Sequence, residues 1–537
     1  MADEANTYDY VVIGAGSAGA VMATRLSESG RYRVLLLEAG APDNLWTRIP
    51  VGFARLIENP AANWLYSAEP EEASAGRRMP VPRGKLLGGS SAINGMVYVR
   101  GQAQDFDHWA QLGNRGWSYE QVLPYFKKLE NFDGGDDAYR GRNGPVKVRV
   151  NEESGPLVDA LFAAFKHIGL KANPNYNGPT QDGYAIAETN NSNGRRNSTA
   201  RSYLHPAKSR SNLTIHTHAM AQQLIFDGLR CTGVLYTADS APMEAHAARE
   251  VIVSGGSINS PQLLELSGVG QPEVLREQGI EVRHALAGVG ENLRDHYSPR
   301  LKWGITRKGV TYNDRLRGFG LVREGLKYVL SRRGFLTMSA SPIRGYAKSR
   351  EGLATADIGM AFMAFLSTPR YSLAREAGMT GIAHQLRPES QGSIHIRASD
   401  PTAPPAIRFN FLSAELDRQT TIAAVKIARE VAQAPSLDGF TGAELMPGPD
   451  VRTDDEILDW VKRTAETTYH PVGTCKMGSG SDPMAVVDER LRVHGLSGLR
   501  VVDASIMPTL TSGNTNAPSI MIGEKGAAMT LEDAATA

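Results

Sequence analysis

Residues 8–40, YDYVVIGAGSAGAVMATRLSESGRYRVLLLEAG, restrict what this chain can fold into more than any other stretch. Residues 10–13 read as a buried strand that runs into GAGSAG. A helical pattern follows, then a second apolar strand at 34–37 that ends on Glu38. Gly14 permits the tight turn from strand to helix, Gly16 lets backbone approach a pyrophosphate, and Gly19 allows close helix–strand packing. The pyrophosphate belongs at the helix N-terminus, where unpaired N–H groups and the dipole favour an anion. Glu38, at the strand tip, is placed to accept hydrogen bonds from ribose hydroxyls and to repel a 2′-phosphate. Strand, glycines, helix, strand and acid in register say more than a lone glycine-rich turn. They predict a dinucleotide-binding unit.

At 537 residues the chain exceeds the usual size of one hydrophobic core, so two domains are expected. Apolar runs at 251–256 and at 499–502, before Asp503, match the first strands in character, although they lie hundreds of residues away. The alternating segments 299–306 and 392–397 read instead as half-exposed antiparallel strands. The turn-rich segment 390–411 reads as a hairpin followed by another strand. The expectation is an α/β, Rossmann-like cofactor domain assembled from residues 1–150, 197–297 and 462–537. It carries an inserted α+β substrate domain, residues 151–196 and 298–461, built on an antiparallel sheet.

The net charge of +1 gives no reason to expect nucleic acid as a partner. Cys231 and Cys475 alone make no disulfide framework, which suits a reducing cytoplasm. The first residues are acidic and polar, without a signal-peptide pattern, and no apolar stretch approaches a membrane span. A cytoplasmic protein is expected.

The first unit does not separate FAD from NAD. The segment PRGKLLGGSSAINGMVYVRG, residues 82–101, adds a second loop whose backbone donors and hydroxyls suit a flavin's pyrophosphate and ring. At this point the chain resembles the glucose–methanol–choline (GMC) oxidoreductases. Their first signature is matched from Gly84 through Asn94 to Asp107, and their second by GSINSPQLLELSGVG, residues 256–270. Their C-terminal stretch is matched by YHPVGTCKMG (469–478) and LRVVDASIMPTLTSGNTNAPSIMIGEK (499–525). The nearest branch is the choline-dehydrogenase-like and aliphatic-alcohol-dehydrogenase-like group.

The resemblance implies that Gly14, Gly16, Ser17, Ala18, Gly19, Glu38 and Ala39 hold the ADP half of FAD. It places Arg83, Gly88, Ser91, Asn94, Gly95 and Val97 along the pyrophosphate and ring, and Trp64 and Ala221 against adenine or flavin. Asp503 and Ala504 join the set near the ribityl chain. Some relatives tether FAD through a histidine where this chain has Ile93, so the FAD is expected to be non-covalent.

Oxidising an alcohol through a flavin moves a hydride from the carbinol carbon to N5 while the hydroxyl proton leaves. A histidine base suits this task and typically contributes on the order of 10²–10⁴-fold. Of the twelve histidines, His470 precedes Pro471 in a glycine-containing segment off any amphipathic stripe, and the family's catalytic histidine aligns with it. Asn514 aligns with the second catalytic position, histidine or asparagine in the family, and would hold the substrate oxygen near His470. The local alternative for Asn514 is a turn residue after Gly513. With asparagine there, His470 carries the proton alone. NTNAPSIMIGEK reads as a helix start, with Asn516 near the cap, Pro518 in the first turn and the positive end toward the flavin. No metal is expected.

The function expected is oxidation of a primary alcohol to the aldehyde, with a quinone, another carrier or oxygen as acceptor in place of NAD. An oxygen-using oxidase is the alternative. Hydroxynitrile lyases and a photodecarboxylase use the same scaffold, so non-redox or light-driven chemistry stays open. Residues 358–365, IGMAFMAF, supply Met and Phe for core packing or for an apolar substrate pocket. No aromatic cage with a carboxylate marks choline as substrate.

Residues 307–333 interleave Arg315, Arg317, Arg323, Lys327, Arg332 and Arg333 with Leu316, Phe319, Val322, Leu326, Val329 and Leu330, as in an amphipathic helix. The plainer expectation packs its apolar side on the core. The sharper one rests it on an anionic membrane surface as a weak peripheral contact.

Overall fold

The apolar runs flanking GAGSAG become the middle of a seven-stranded sheet in the computed structural model, which describes residues 6–368 and 372–536. Thr7–Ile13 pairs in parallel with Val34–Leu37 on one side and with Ala241–Val253 on the other. Leu213–His216 extends the sheet beyond Val34–Leu37, and Leu499–Val501 lies parallel to the end of Ala241–Val253. Parallel strands covered on both faces need no polar side, which is why VLLL is buried throughout. The long strand Ala241–Val253 then turns to antiparallel pairing with Arg230–Ala238, which pairs with Ala219–Asp227.

Helix Gly19–Leu26 is buried at every position but Arg25. A Cβ on Gly19 would stand 1.9 Å from the Gly14 carbonyl oxygen, so only glycine lets this helix sit so close to the turn before it. The C-terminal helix Asn516–Thr536 packs on its other side, where a Cβ on Gly523 would come within 2.9 Å of the Ala18 carbonyl oxygen.

The second sheet has six strands, all antiparallel, in the order Thr441–Met446, Arg300–Ile305, Gly378–Gln385, Ile358–Met363, Ile343–Ala347, Gly183–Ile186. Helix Glu415–Ala432 repeats its apolar side chains at helical spacing, and Ala424, Val425, Ala428 and Val431 share a core with Ile358, Met360 and Phe362. Every strand of the first sheet falls in residues 1–150, 197–297 or 462–537. Every strand of the second falls in 151–196 or 298–461.

A buried ion cluster links residues 100–140 to the strand Glu188–Thr189. Arg140 reaches Glu130 at 2.8 Å and Glu188 at 2.6 Å, and Arg100 reaches Glu130 at 2.7 Å, with all four side chains essentially sealed from solvent.

Two sequence expectations are corrected. The hairpin Ser393–His395/Ala406–Arg408 forms, but no further strand follows. The chain turns at Asn410 and Leu412, both at positive φ, and enters helix Glu415–Ala432. Residues 307–333 form helices Tyr312–Arg315 and Phe319–Ser331, and the second does not lay its apolar side on the core. Phe319, Val322, Leu326, Val329 and Leu330 face solvent, with Phe319 and Leu330 more than four-fifths exposed (83% and 82%). Glu324 and Tyr328, one turn apart, point inward instead, because the Glu324 carboxylate accepts the Phe335 N–H at 3.1 Å and so ties the helix to the next loop. No helix among the described residues is long and apolar enough to cross a membrane.

Candidate active site

One cavity gathers residues from both sheets. Its wall includes Gly14, Gly16, Ser17, Ala18, Glu38, Ala39, Trp64, Arg83, Asn94, Gly95, Val97, Ala221, Asp503, Ala504 and Asn516, together with His470 and Asn514. Three residues of the expected set lie behind this wall. Gly19 serves the helix–strand contact described above. Gly88, at φ +91°, donates its N–H to the Ala15 carbonyl at 2.8 Å. The Ser91 hydroxyl is spent on the Gly88 carbonyl and the Thr199 hydroxyl.

The nucleotide end fits a dinucleotide. A Cβ on Gly16 would meet nothing within 4 Å, so at this point the backbone itself forms the surface. No side chain caps the N-terminus of Gly19–Leu26, so the positive end of this helix stays open to an anion. The Glu38 carboxylate accepts the N–H of Ala15 at 3.0 Å and of Gly40 at 2.9 Å, and burial pushes its pKa up to about 7. Spare lone pairs remain on both oxygens for ribose hydroxyls.

At the other end, Asp295 organises two histidines. It accepts the backbone N–H of His296 at 2.7 Å and of His470 at 2.9 Å, and the Thr467 hydroxyl donates to its second oxygen. Tyr469 sits at φ +69°, a strained setting for a non-glycine residue, which turns the His470 side chain away from the strand before it. The Arg83 guanidinium donates to the Tyr469 carbonyl and braces that turn.

The ring hydrogen bonds fix the histidine tautomers. His296 Nε2 lies 2.9 Å from the Leu386 carbonyl oxygen, which can only accept, so this nitrogen carries the proton. Neutral His296 then has an accepting Nδ1, 3.1 Å from His470 Nδ1, and the His470 proton must sit there, with the Thr468 hydroxyl 2.9 Å away as a second acceptor. His470 Nε2 is left as a lone pair, 2.9 Å from Asn514 Nδ2. Burial, followed by His296 and the Arg83 and Arg344 cations, holds the His470 pKa well below the usual histidine value, so the ring is neutral. Burial likewise lowers His296, to about 4. Asn514 Oδ1 is buried without a hydrogen-bond partner and can take a donor from a ligand.

Asp295, His296 and His470 come close enough to suggest a metal site. Their donor atoms are already engaged with N–H, O–H, carbonyl or ring partners, so the cluster holds two histidine rings in place through its own hydrogen bonds.

The six-stranded sheet supplies the remaining wall. Side chains alternate along a strand, so Ala361, Met363 and Phe365 line the cavity while Ile358, Met360 and Phe362 enter the core. The segment 358–365 thus contributes to the core and to the cavity wall. Arg300, Arg344, Thr380, Ile382 and His384 share the cavity side, none of them evident from the sequence. His296 was also missed; its one available signal was a histidine beside an aspartate just ahead of an alternating strand.

Two family models, both described as GMC oxidoreductase, match residues 8–298 and 388–523. An oxygen-dependent choline dehydrogenase from Brucella ovis is 41% identical over 521 residues, covering 96% of this chain and 94% of the relative. Oxygen-dependent choline dehydrogenase 1 from Chromohalobacter salexigens is 42% identical over 529 residues, covering 97% and 94%. The crystal structure of pyridoxine 4-oxidase from Mesorbium loti matches with a TM-score of 0.88 at 30% identity, covering 97% of this chain and 98% of that one.

Proposed function

The chain belongs to the GMC oxidoreductase family, which acts on CH–OH donors, and from that premise we propose that it oxidises a primary alcohol to the aldehyde with His470 as base. The observation that carries this reading is the line Leu386–His296–His470–Asn514, which presents an unprotonated Nε2 beside an amide donor. Bound FAD supplies the hydride acceptor. His470 Nε2 takes the hydroxyl proton, and Asn514 Nδ2–H, which donates to that nitrogen in the free site, turns to the oxygen as it gains charge. Residues 1–150, 197–297 and 462–537 then form the FAD-binding domain, with Gly14, Gly16, Ser17, Ala18, Glu38 and Ala39 on the ADP half. Residues 151–196 and 298–461 form the substrate domain.

Oxygen is the acceptor that the relatives' names favour over a quinone or carrier. Buried free thiols at Cys231 and Cys475 suit a cytoplasmic setting. Anaerobic addition of a good primary alcohol should bleach the yellow protein, and admitting oxygen should restore its colour. Failure of a broad alcohol panel to bleach it would return lyase or light-driven chemistry to the front. Acid precipitation should leave all flavin in the supernatant, since Ile93 offers no nucleophile; flavin retained in the pellet would overturn non-covalent binding.

The exposed stripe Phe319, Val322, Leu326, Val329 and Leu330, bordered by Arg323 and Lys327, supports a second proposal: weak docking of this helix on an anionic lipid surface. Each basic residue adds only about 1 kcal/mol there, so binding should be reversible and salt-sensitive. Co-sedimentation at low salt should require anionic lipid and fail when Arg323, Lys327, Arg332 and Arg333 are replaced by Gln. Equal recovery with neutral lipid would end the idea.

A further inference from the structure

We infer that the alcohol this enzyme takes carries a carboxylate, seated on Arg344. The inference rests on the cavity being the alcohol site. Arg344 pairs with Ala361 across one strand boundary, Ala361 with Ile382 across the next, and Ile382 with Arg300 across the third. These four residues form one row across the sheet, and all four line the cavity.

Arg344 is 4% exposed. Its Nε has no hydrogen-bond partner, its Nη2 donates to the Tyr346 hydroxyl at 3.4 Å, and the guanidinium lies 5.4 Å from the centre of the Tyr346 ring, contacts that leave its charge without an anion. Among the described residues no carboxylate lies within ion-pair distance of it, whereas Arg300 in the same row has Glu466 at 2.7 Å. A guanidinium does not give up its proton, and a buried cation is costly unless paired. The missing partner must therefore come from what fills the cavity.

A carboxylate matches the need, because the planar fork takes its two oxygens side by side. His384 strengthens the seat. It is 4% exposed, lines the same cavity, and neither ring nitrogen has a partner. Its ring packs on that of His296, 4.9 Å between centroids, which places it beside the proton-accepting pair. The dinucleotide's phosphates belong with residues 14–18 on the other sheet and do not account for Arg344.

The cavity wall offers no counter-charge for a quaternary ammonium. Its only described carboxylates are Glu38, held by two backbone N–H groups, and Asp503, held by Gly256, Ser260 and Ser505. Both stand on the first sheet's side. A choline-like cation would instead meet the Arg344 cation, which repels it. In this respect the chain parts from the activity named for its relatives.

The test compares shape-matched alcohols on the holoenzyme: 4-(hydroxymethyl)benzoate, 4-methylbenzyl alcohol and 4-(hydroxymethyl)phenyltrimethylammonium, with 4-hydroxybutanoate and butan-1-ol as an aliphatic pair. In at least one series the carboxylate should exceed its neutral partner by about 100-fold in kcat/KM. Arg344→Met should bring that ratio near unity, mainly through KM, and Arg344→Lys should keep part of it. Redox-inert 4-methylbenzoate and butanoate should perturb the flavin spectrum of the wild type and not of Arg344→Met. Should no alcohol bleach the flavin while such a carboxylate still binds through Arg344, the oxidation reading fails and the anion seat stands. Should neutral alcohols be oxidised as well as carboxylates in both series, with neither inert carboxylate binding, the anion seat falls alone. An equal loss on all substrates in Arg344→Met, with a shifted flavin potential, would mean that Arg344 serves the cofactor and would also overturn it.

Discussion

Replacing His470 with alanine should leave FAD bound and slow anaerobic flavin reduction by a good alcohol about 10²–10⁴-fold in stopped flow. The protein loses its one lone-pair nitrogen beside Asn514 while the dinucleotide end is untouched. Asn514→Ala should cost less, because in the proposed role its amide steadies the oxygen but takes no proton. The pH profile carries the same assignment. His470 acts as the neutral ring, so activity is full above its pKa and lost as pH falls through it. Burial, His296, Arg83 and Arg344 depress that pKa, which puts the acid limb of kcat/KM below the ordinary histidine value of about 6.5. Near wild-type reduction in the alanine variant would remove His470 from the role.

Arg140→Met should be among the most destabilising single changes, at about 3–5 kcal/mol, because it leaves buried carboxylates without their shared cation. Glu130 keeps Arg100 at 2.7 Å, but Glu188 would retain only neutral donors such as the Asn177 amide at 3.0 Å. The readout is the thermal midpoint of the holoenzyme, followed by both circular dichroism and flavin release, since a chain of this size need not unfold in one step. Adding Glu188→Gln should recover part of the loss by removing the orphaned charge. A midpoint unchanged within a degree would show that the cluster relaxes far more easily than its burial implies.

The parts of the site legible in the sequence are those whose function is written in contiguous residues. GAGSAG with Glu38 is local: turn, helix start and acid all lie within one strand–helix–strand unit, and their spacing carries the geometry. His470 and Asn514 have no such local spacing and stand out only through the family motifs. Arg344 and His384 were not found, because IRGYA and GIAHQ look like ordinary strand segments. Only the register across the second sheet, and its packing against the first, turns their polar side chains inward. The helix Phe319–Ser331 shows the opposite difficulty. Its periodicity identified a helix and two faces, but the choice of outward face depends on Glu324 meeting the Phe335 N–H, a contact with a loop beyond the helix. Amphipathic spacing carries no sign.

The Ser17 hydroxyl donates to Asn516 Oδ1 at 2.8 Å across 499 residues, and Leu499–Val501 closes the same sheet that Thr7–Ile13 began. A ribosome adding about 5–20 residues per second needs roughly 25–100 s to make the chain between those two contacts. For that interval the glycine turn can meet residues 88, 199 and 254 but lacks its C-terminal partner. The first strands can pair once residue 253 has been made, but the wall that Asn514 and Asn516 supply comes last, so the pocket is complete only when synthesis is nearly over.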